Sequence, residues 1–157
     1  MKNININQQD IISYTKFICE FLEISIPKIL FKNKKIQHKF LSNTMMAVLY
    51  PEENTIYINH TIPTLDIFFV IAHELRHLYQ YIYHPEWLIN YQTIDQIKSI
   101  EEYNLQLVEI DANAFAKMIM INEFNITPLF ESLSDKVKLR IHERMEIITT
   151  KYYKELY

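Results

Sequence analysis

Apolar positions recur at helical spacing through four stretches of this chain and alternate with polar ones in a shorter middle part. Ile11, Ile12, Phe17, Ile18, Phe21 and Leu22 lay an apolar stripe along a helix from about Gln8 to Leu22. A second short segment follows Pro27. Residues 36–41, 45–50 and 55–60 read as strands, with Pro51, Glu52, Glu53 and Asn54 as a hairpin turn. The run TLDIFFVIAHELRHLYQYIY (64–83) has neither Pro nor Gly and is apolar almost throughout, which predicts one helix buried on most sides. Thr64, after Pro63 and before Asp66, suits its N-cap. An irregular stretch from His84 to about Ile97 leads to a helix carrying EIDANAFAKMIM (109–120) that ends near Phe124, and a last helix spans about Ser134 to Lys154. The expected class is α+β, a helical bundle with a small antiparallel sheet.

The buried helix changes the picture because it carries His73-Glu74-Leu75-Arg76-His77, an HExxH string. Residues i and i+4 share one helix face about a turn apart, so His73 and His77 can grip one Zn²⁺. Glu74 then lies beside the zinc-bound water, where it acts as general base. Two His and a Glu buried without partners would cost several kcal/mol, by the usual penalty for unpaired polar groups. A metal site satisfies all three; the bland alternative is a pair of hydrogen-bonded core histidines.

Catalytic zinc needs a third protein ligand and an open position. His84, seven residues past His77, lies about 10 Å further along a continuing helix, out of reach. His142 falls on an ordinary amphipathic helix, and His38 and His60 lie near the expected strands. Glu109 is the best candidate. With Ala112, Asn113 and Ala116 it forms one face whose small residues allow close helix packing, and Asn113 could hydrogen-bond an imidazole or the ligating carboxylate. Asp111, shorter and off that face, is the competitor. An alternative for Glu109 and Asp111 is a surface pair on a core helix.

HExxH followed about thirty residues later by Glu-x-x-Ala-Asn and then Phe-Ala resembles the gluzincin metallopeptidases. It is similar in particular to the compact ImmA/IrrE-like proteins and to the catalytic core of the membrane CAAX-processing peptidases, from about Met45 to Ile121. The resemblance implies a single zincin-like metallopeptidase domain over residues 1–157, with HExxH on a central helix. It implies zinc on His73, His77 and Glu109, Glu74 as general base, and hydrolysis of a peptide bond in a protein substrate; ImmA-like proteins are associated with cleaving repressors in mobile elements. Three positions depart from the family pattern: Arg76 where Gly is usual before the second His, Tyr81 where a further His is common, and Asp111 where Glu is frequent. A non-proteolytic binding module on the same fold is the rival reading; Glu74 argues against it, since a structural zinc needs no general base. A DNA-linked SprT-like protease would call for a third His and a basic or zinc-ribbon extension, and the chain has neither.

Composition then excludes classes. An apolar content of 49% argues against disorder, and a lone Cys19 rules out an internal disulfide framework and fits a reducing cytoplasm. The N-terminus MKNININQQD has no apolar core of a signal peptide, and the longest apolar stretch (65–72) is too short to span a bilayer. A net charge of −3 gives no general attraction to nucleic acid. The five Lys between Lys28 and Lys39 read as a charged edge strand or loop rather than a nucleic-acid patch. No Gly occurs, so left-handed backbone positions are expected to fall to Asn. Such sites commonly add an oxyanion donor; His142 is the first choice, with Tyr91, Tyr103 and Arg140 as others. Strand 55–60 is a candidate to pair with an extended substrate, and Trp87 is either a cleft rim or a core anchor.

Overall fold

A computed structural model describes residues 6–40, 45–59 and 65–153. Their contacts gather into two compact units, divided between Tyr79 and Gln80. The expected cap at Thr64 and the strand end at His60 lie outside the described residues.

The first unit begins with α1 (Gln8–Leu22), whose bounds match the apolar stripe. Asn7 and Asp10 cap it reciprocally: Asn7 Oδ1 accepts from the Asp10 amide at 3.0 Å, and Asp10 Oδ2 accepts from the Asn7 amide at 2.8 Å. Its buried side carries Ile11, Tyr14, Ile18, Cys19 and Leu22. Tyr14 docks α1 onto α2 (Asp66–Tyr83), donating to the Phe68 carbonyl at 2.8 Å and meeting the Phe68 ring edge-on at 4.6 Å. Burial, with the Glu20 charge, pushes the Cys19 thiol up to about 12, so it is a core group rather than a nucleophile.

The sheet holds β1 (Lys28–Phe31), β2 (Ala47–Tyr50) and β3 (Thr55–Ile58) in the order β1-β3-β2. β2 runs antiparallel to β3 as expected of the hairpin, and Pro51–Glu53 forms a 3₁₀ turn with Asn54 left-handed. β1, however, is parallel to β3, so the sheet is mixed rather than antiparallel throughout. The segment after Pro27 supplies that strand, and residues 36–40, the described part of the strand expected at 36–41, form none. Asn33 Oδ1 accepts from the Lys35 amide at 2.8 Å and the Ile36 amide at 3.2 Å, which turns the chain into a 3₁₀ segment at Gln37–Lys39. Lys28 and Lys32 thus border an edge strand, as lysines commonly do. β3 is central and hydrogen-bonded on both sides, so its backbone is not open to an extended substrate as the sequence had suggested.

The second unit contains the last turn of α2, a 3₁₀ turn at Pro85–Leu88, α3 (Ile100–Leu105), α4 (Leu107–Phe124) and α5 (Asp135–Tyr153), with α4 packed on α5. α3 was not distinguished in the sequence. Gln106 adopts φ −62°, ψ 140° between α3 and α4 and breaks what would otherwise be one helix. From Val108 to Ala116 every residue of α4 is buried, including Glu109, Asp111 and Asn113, so the surface-pair alternative for the two acids does not hold. Asp111 is fully buried. Arg144 Nε donates to its Oδ1 at 2.8 Å, and Gln80 Nε2 donates to its Oδ2 at 2.8 Å and to the Val108 carbonyl at 3.0 Å.

No helix among the described residues is long and apolar enough to cross a membrane. Left-handed positions fall to Asn54 and Asn125 as expected, but also to Glu23 (φ 56°) and Phe130 (φ 50°).

Two stability predictions follow from these features. Arg144→Ala strips the cation from a buried carboxylate and is expected to cost about 3–5 kcal/mol in urea unfolding; a loss below 1 kcal/mol would show Asp111 to be compensated elsewhere. Glu23→Gly removes the Cβ clash of a left-handed C-cap and is expected to raise stability by about 1 kcal/mol. An unfolding midpoint at or below wild type would count against that account of the cap.

Candidate metal centre

Helix α2 is apolar enough to bury most of its surface, and its two imidazoles emerge on one side. The Nε2 atoms of His73 and His77 stand 3.0 Å apart, with the rings 4.6 Å apart and nearly perpendicular. Phe69, one turn earlier, lies against the His73 ring at 6.3 Å and helps to fix its plane. Two nitrogens held by one tetrahedral Zn²⁺ at roughly 2.0–2.1 Å would be about 3.3 Å apart, so the pair is close to a bidentate arrangement without rebuilding the helix. Glu74 and both histidines are half-buried. Arg76, where Gly would be usual in the family pattern, is buried with its guanidinium 4.2 Å above the Tyr79 ring.

On α4, Glu109 is 3% exposed, and two tyrosine hydroxyls meet at its Oε1. Tyr91 donates at 2.8 Å and Tyr103 at 2.8 Å, and the two hydroxyl oxygens are 3.0 Å apart. Burial, with the charge of Glu109 next in weight, holds the Tyr91 hydroxyl far above the ordinary tyrosine range, so it remains a donor. Asp111, two residues on, has one oxygen on Arg144 and the other on Gln80. The donor atoms of His73, His77 and Glu109 all lie within 4.8 Å of one another, a group that could hold one metal ion. Two imidazoles and a carboxylate are a donor set suited to Zn²⁺ with a position left for substrate or water.

The remaining expectations are placed differently. His142 lies on the exposed side of α5 with Nε2 3.4 Å from Glu146 Oε1, a solvent-facing helix pair, and this gives no support to an oxyanion role. His84 stacks on Trp87 at 4.3 Å and bonds Glu86 at 3.2 Å; Trp87 is also faced by the Arg144 guanidinium at 5.4 Å, so it is a packing anchor. His38 is exposed in its 3₁₀ turn. Asn113 is buried on α4 along with every residue from Val108 to Ala116. Tyr91 and Tyr103, which the sequence offers as oxyanion donors, both have their hydroxyls on Glu109, a pairing that no sequence signal indicates. Gln80 and Arg144 were not singled out, although a polar Gln80 one turn past His77 in an apolar helix was a signal of a buried partner.

The chain matches the Peptidase_M78 family, described as IrrE N-terminal-like domain, over residues 19–150. Comparisons with curated proteins and with solved structures return no match. The matched span includes the HExxH helix and both buried acids of α4, in a mixed α+β fold of the zincin kind. The chain therefore belongs to the IrrE N-terminal-like (Peptidase_M78) family.

Proposed function

We propose that this protein is a zinc-dependent endopeptidase of the gluzincin type that cleaves a protein substrate in the cytoplasm. His73, His77 and Glu109 hold the ion, and Glu74 is the general base. The observation that carries this reading is the pair of imidazole Nε2 atoms converging at 3.0 Å on the helix that also bears Glu74. Family membership supports a peptidase, and the donor set supports zinc over the harder ions that prefer all-oxygen sites.

A bound Zn²⁺ would supply Lewis acidity, polarising the scissile carbonyl and lowering the pKa of a coordinated water. The protein's own residues do the rest. His73 and His77, one turn apart on a buried helix, are held in fixed directions by packing. Glu74, next to His73, takes the proton of the attacking water and returns it to the leaving amine. Half-burial of Glu74 limits competing water around that transfer. Asn113 is kept as a candidate hydrogen-bonding neighbour of the ligands. Cys19 is buried and single, so reducing conditions do not threaten the fold.

Metal analysis of purified protein is expected to find about one zinc per chain, lost in His73→Ala and in Glu109→Ala. Full zinc in Glu109→Ala would remove that residue from the ligand set. Glu74→Gln should keep the metal while cleavage of host-cell proteins, read by appearance of new N-termini, falls by about 10²–10⁴-fold. Equal cleavage by wild type and Glu74→Gln would sink the general-base role. Zinc-loaded wild-type protein that generates no new termini in the host proteome would favour a non-proteolytic binding module.

A further inference from the structure

The carboxylate of Glu109 is met by two hydroxyls that come from different stretches of chain, Tyr91 from the loop after α2 and Tyr103 from α3. We infer that Tyr91 and Tyr103 are positioning residues: a paired-hydroxyl clamp that fixes Glu109 Oε1 and presents the carboxylate to the metal in one orientation, with Gln106 setting the clamp. This rests on the reading of Glu109 as a ligand.

A Glu side chain has three rotatable bonds, and a ligand that samples several rotamers must be ordered when the ion arrives. Two charge-assisted hydrogen bonds of 2.8 Å to one oxygen remove that freedom beforehand; each hydroxyl spends its single proton on the carboxylate, so the 3.0 Å between the two hydroxyl oxygens is a side-by-side contact and not a third bond. The same bonds lower the cost of burying the charge.

The backbone explains how a loop tyrosine and a helix tyrosine reach the same atom. On an unbroken helix, residues 103 and 109 would be about 9 Å apart along the axis and roughly 240° apart around it, so they could not touch. Gln106 leaves helical geometry between them and lets Tyr103 fold back onto Glu109. The same residue holds the loop. Its Oε1 accepts from the Gln92 amide at 2.8 Å, and its Nε2 donates to the Gln92 carbonyl at 2.9 Å. Gln106 therefore pins the neighbour of Tyr91 while making the break that positions Tyr103. With both hydroxyls committed to the carboxylate, the tyrosines act through Glu109 and not on a substrate directly.

The test is zinc affinity by chelator competition, together with the visible spectrum of the Co²⁺-loaded protein, for wild type, Tyr91→Phe, Tyr103→Phe, the double variant and Gln106→Ala. Each single Phe variant is expected to bind zinc about 10–100-fold more weakly, and the cobalt bands should shift because the carboxylate ligand is reoriented. The double variant should lose less than the product of the two single losses, since both hydroxyls act on one oxygen. Gln106→Ala, which leaves both tyrosines in place, should shift the cobalt bands in the same direction, and it serves as the test if a Phe variant does not fold. Wild-type cobalt bands in the folded variants would overturn the clamp, whatever the zinc affinity. Wild-type protein that takes up neither ion would overturn the ligand reading of Glu109 and the clamp with it, whereas zinc binding by wild type with unaltered variants sinks the clamp alone.

Discussion

Two carboxylates buried two residues apart on α4 are the constraint around which much of the second unit is built. A buried charge is costly unless it is paired or hydrogen-bonded, and two like charges close together compound that cost. The structure gives each acid its own donors. Asp111 takes the Arg144 guanidinium from α5 and the Gln80 amide from the end of α2. Glu109 takes two tyrosine hydroxyls. The difference in donors fits a difference in task. A carboxylate already neutralised by a guanidinium has little negative charge left to offer an ion, whereas neutral hydroxyls orient a carboxylate and leave its charge in place.

Which parts of this were legible in the sequence follows from how local each signal is. Helix α1 could be read from its apolar stripe, a property of spacing alone, and α2 and α4 from long, mostly apolar runs without Pro or Gly. The meeting of His73 with His77 could be read from spacing too, since i and i+4 share a face on any helix. Glu109 needed only its helical face and the small residues beside it. The misread segments are those where side chains compete with the backbone. The alternation at 36–41 resembles a strand, but Asn33 captures two amides just upstream and bends the chain. α3 was hidden because the break at Gln106 uses neither Pro nor Gly. Glu23 is left-handed because it ends α1: its amide reaches the Glu20 carbonyl at 3.2 Å and the Ile24 amide the Cys19 carbonyl at 3.0 Å, closures that offset a cost of about 1–2 kcal/mol.

The polar partners were the least legible part. Tyr91 sits in an irregular segment, and Tyr103 reaches Glu109 only through a helix break, so no periodicity connects them. His142 could be placed on its helix but not oriented. A histidine on a helix with some apolar positions suggests a buried polar group, yet its side chain is 52% exposed beside Glu146. Spacing locates a residue on a face, but it does not say whether that face is covered.

Gln80 shows what a buried polar residue in an apolar helix can accomplish. It is fully buried three residues after His77, where a Leu or Ile would pack as well by volume. Its amide reaches the Val108 carbonyl and the Asp111 carboxylate, the groups that flank Glu109 in sequence on either side. Apolar packing alone would let the last turn of α2 slide along α4 by small amounts at little cost, because dispersion contacts are many and individually weak. Two hydrogen bonds from one amide to two fixed acceptors do not tolerate such a shift. They register that turn against α4 at the residues neighbouring Glu109. Arg144, held to Asp111 and facing Trp87, extends the same fastening to α5 and to the turn after α2. The polar network around Asp111 is thus better understood as alignment for its neighbour Glu109 than as a source of net stability, since a buried ion pair seldom outperforms an apolar core of the same shape.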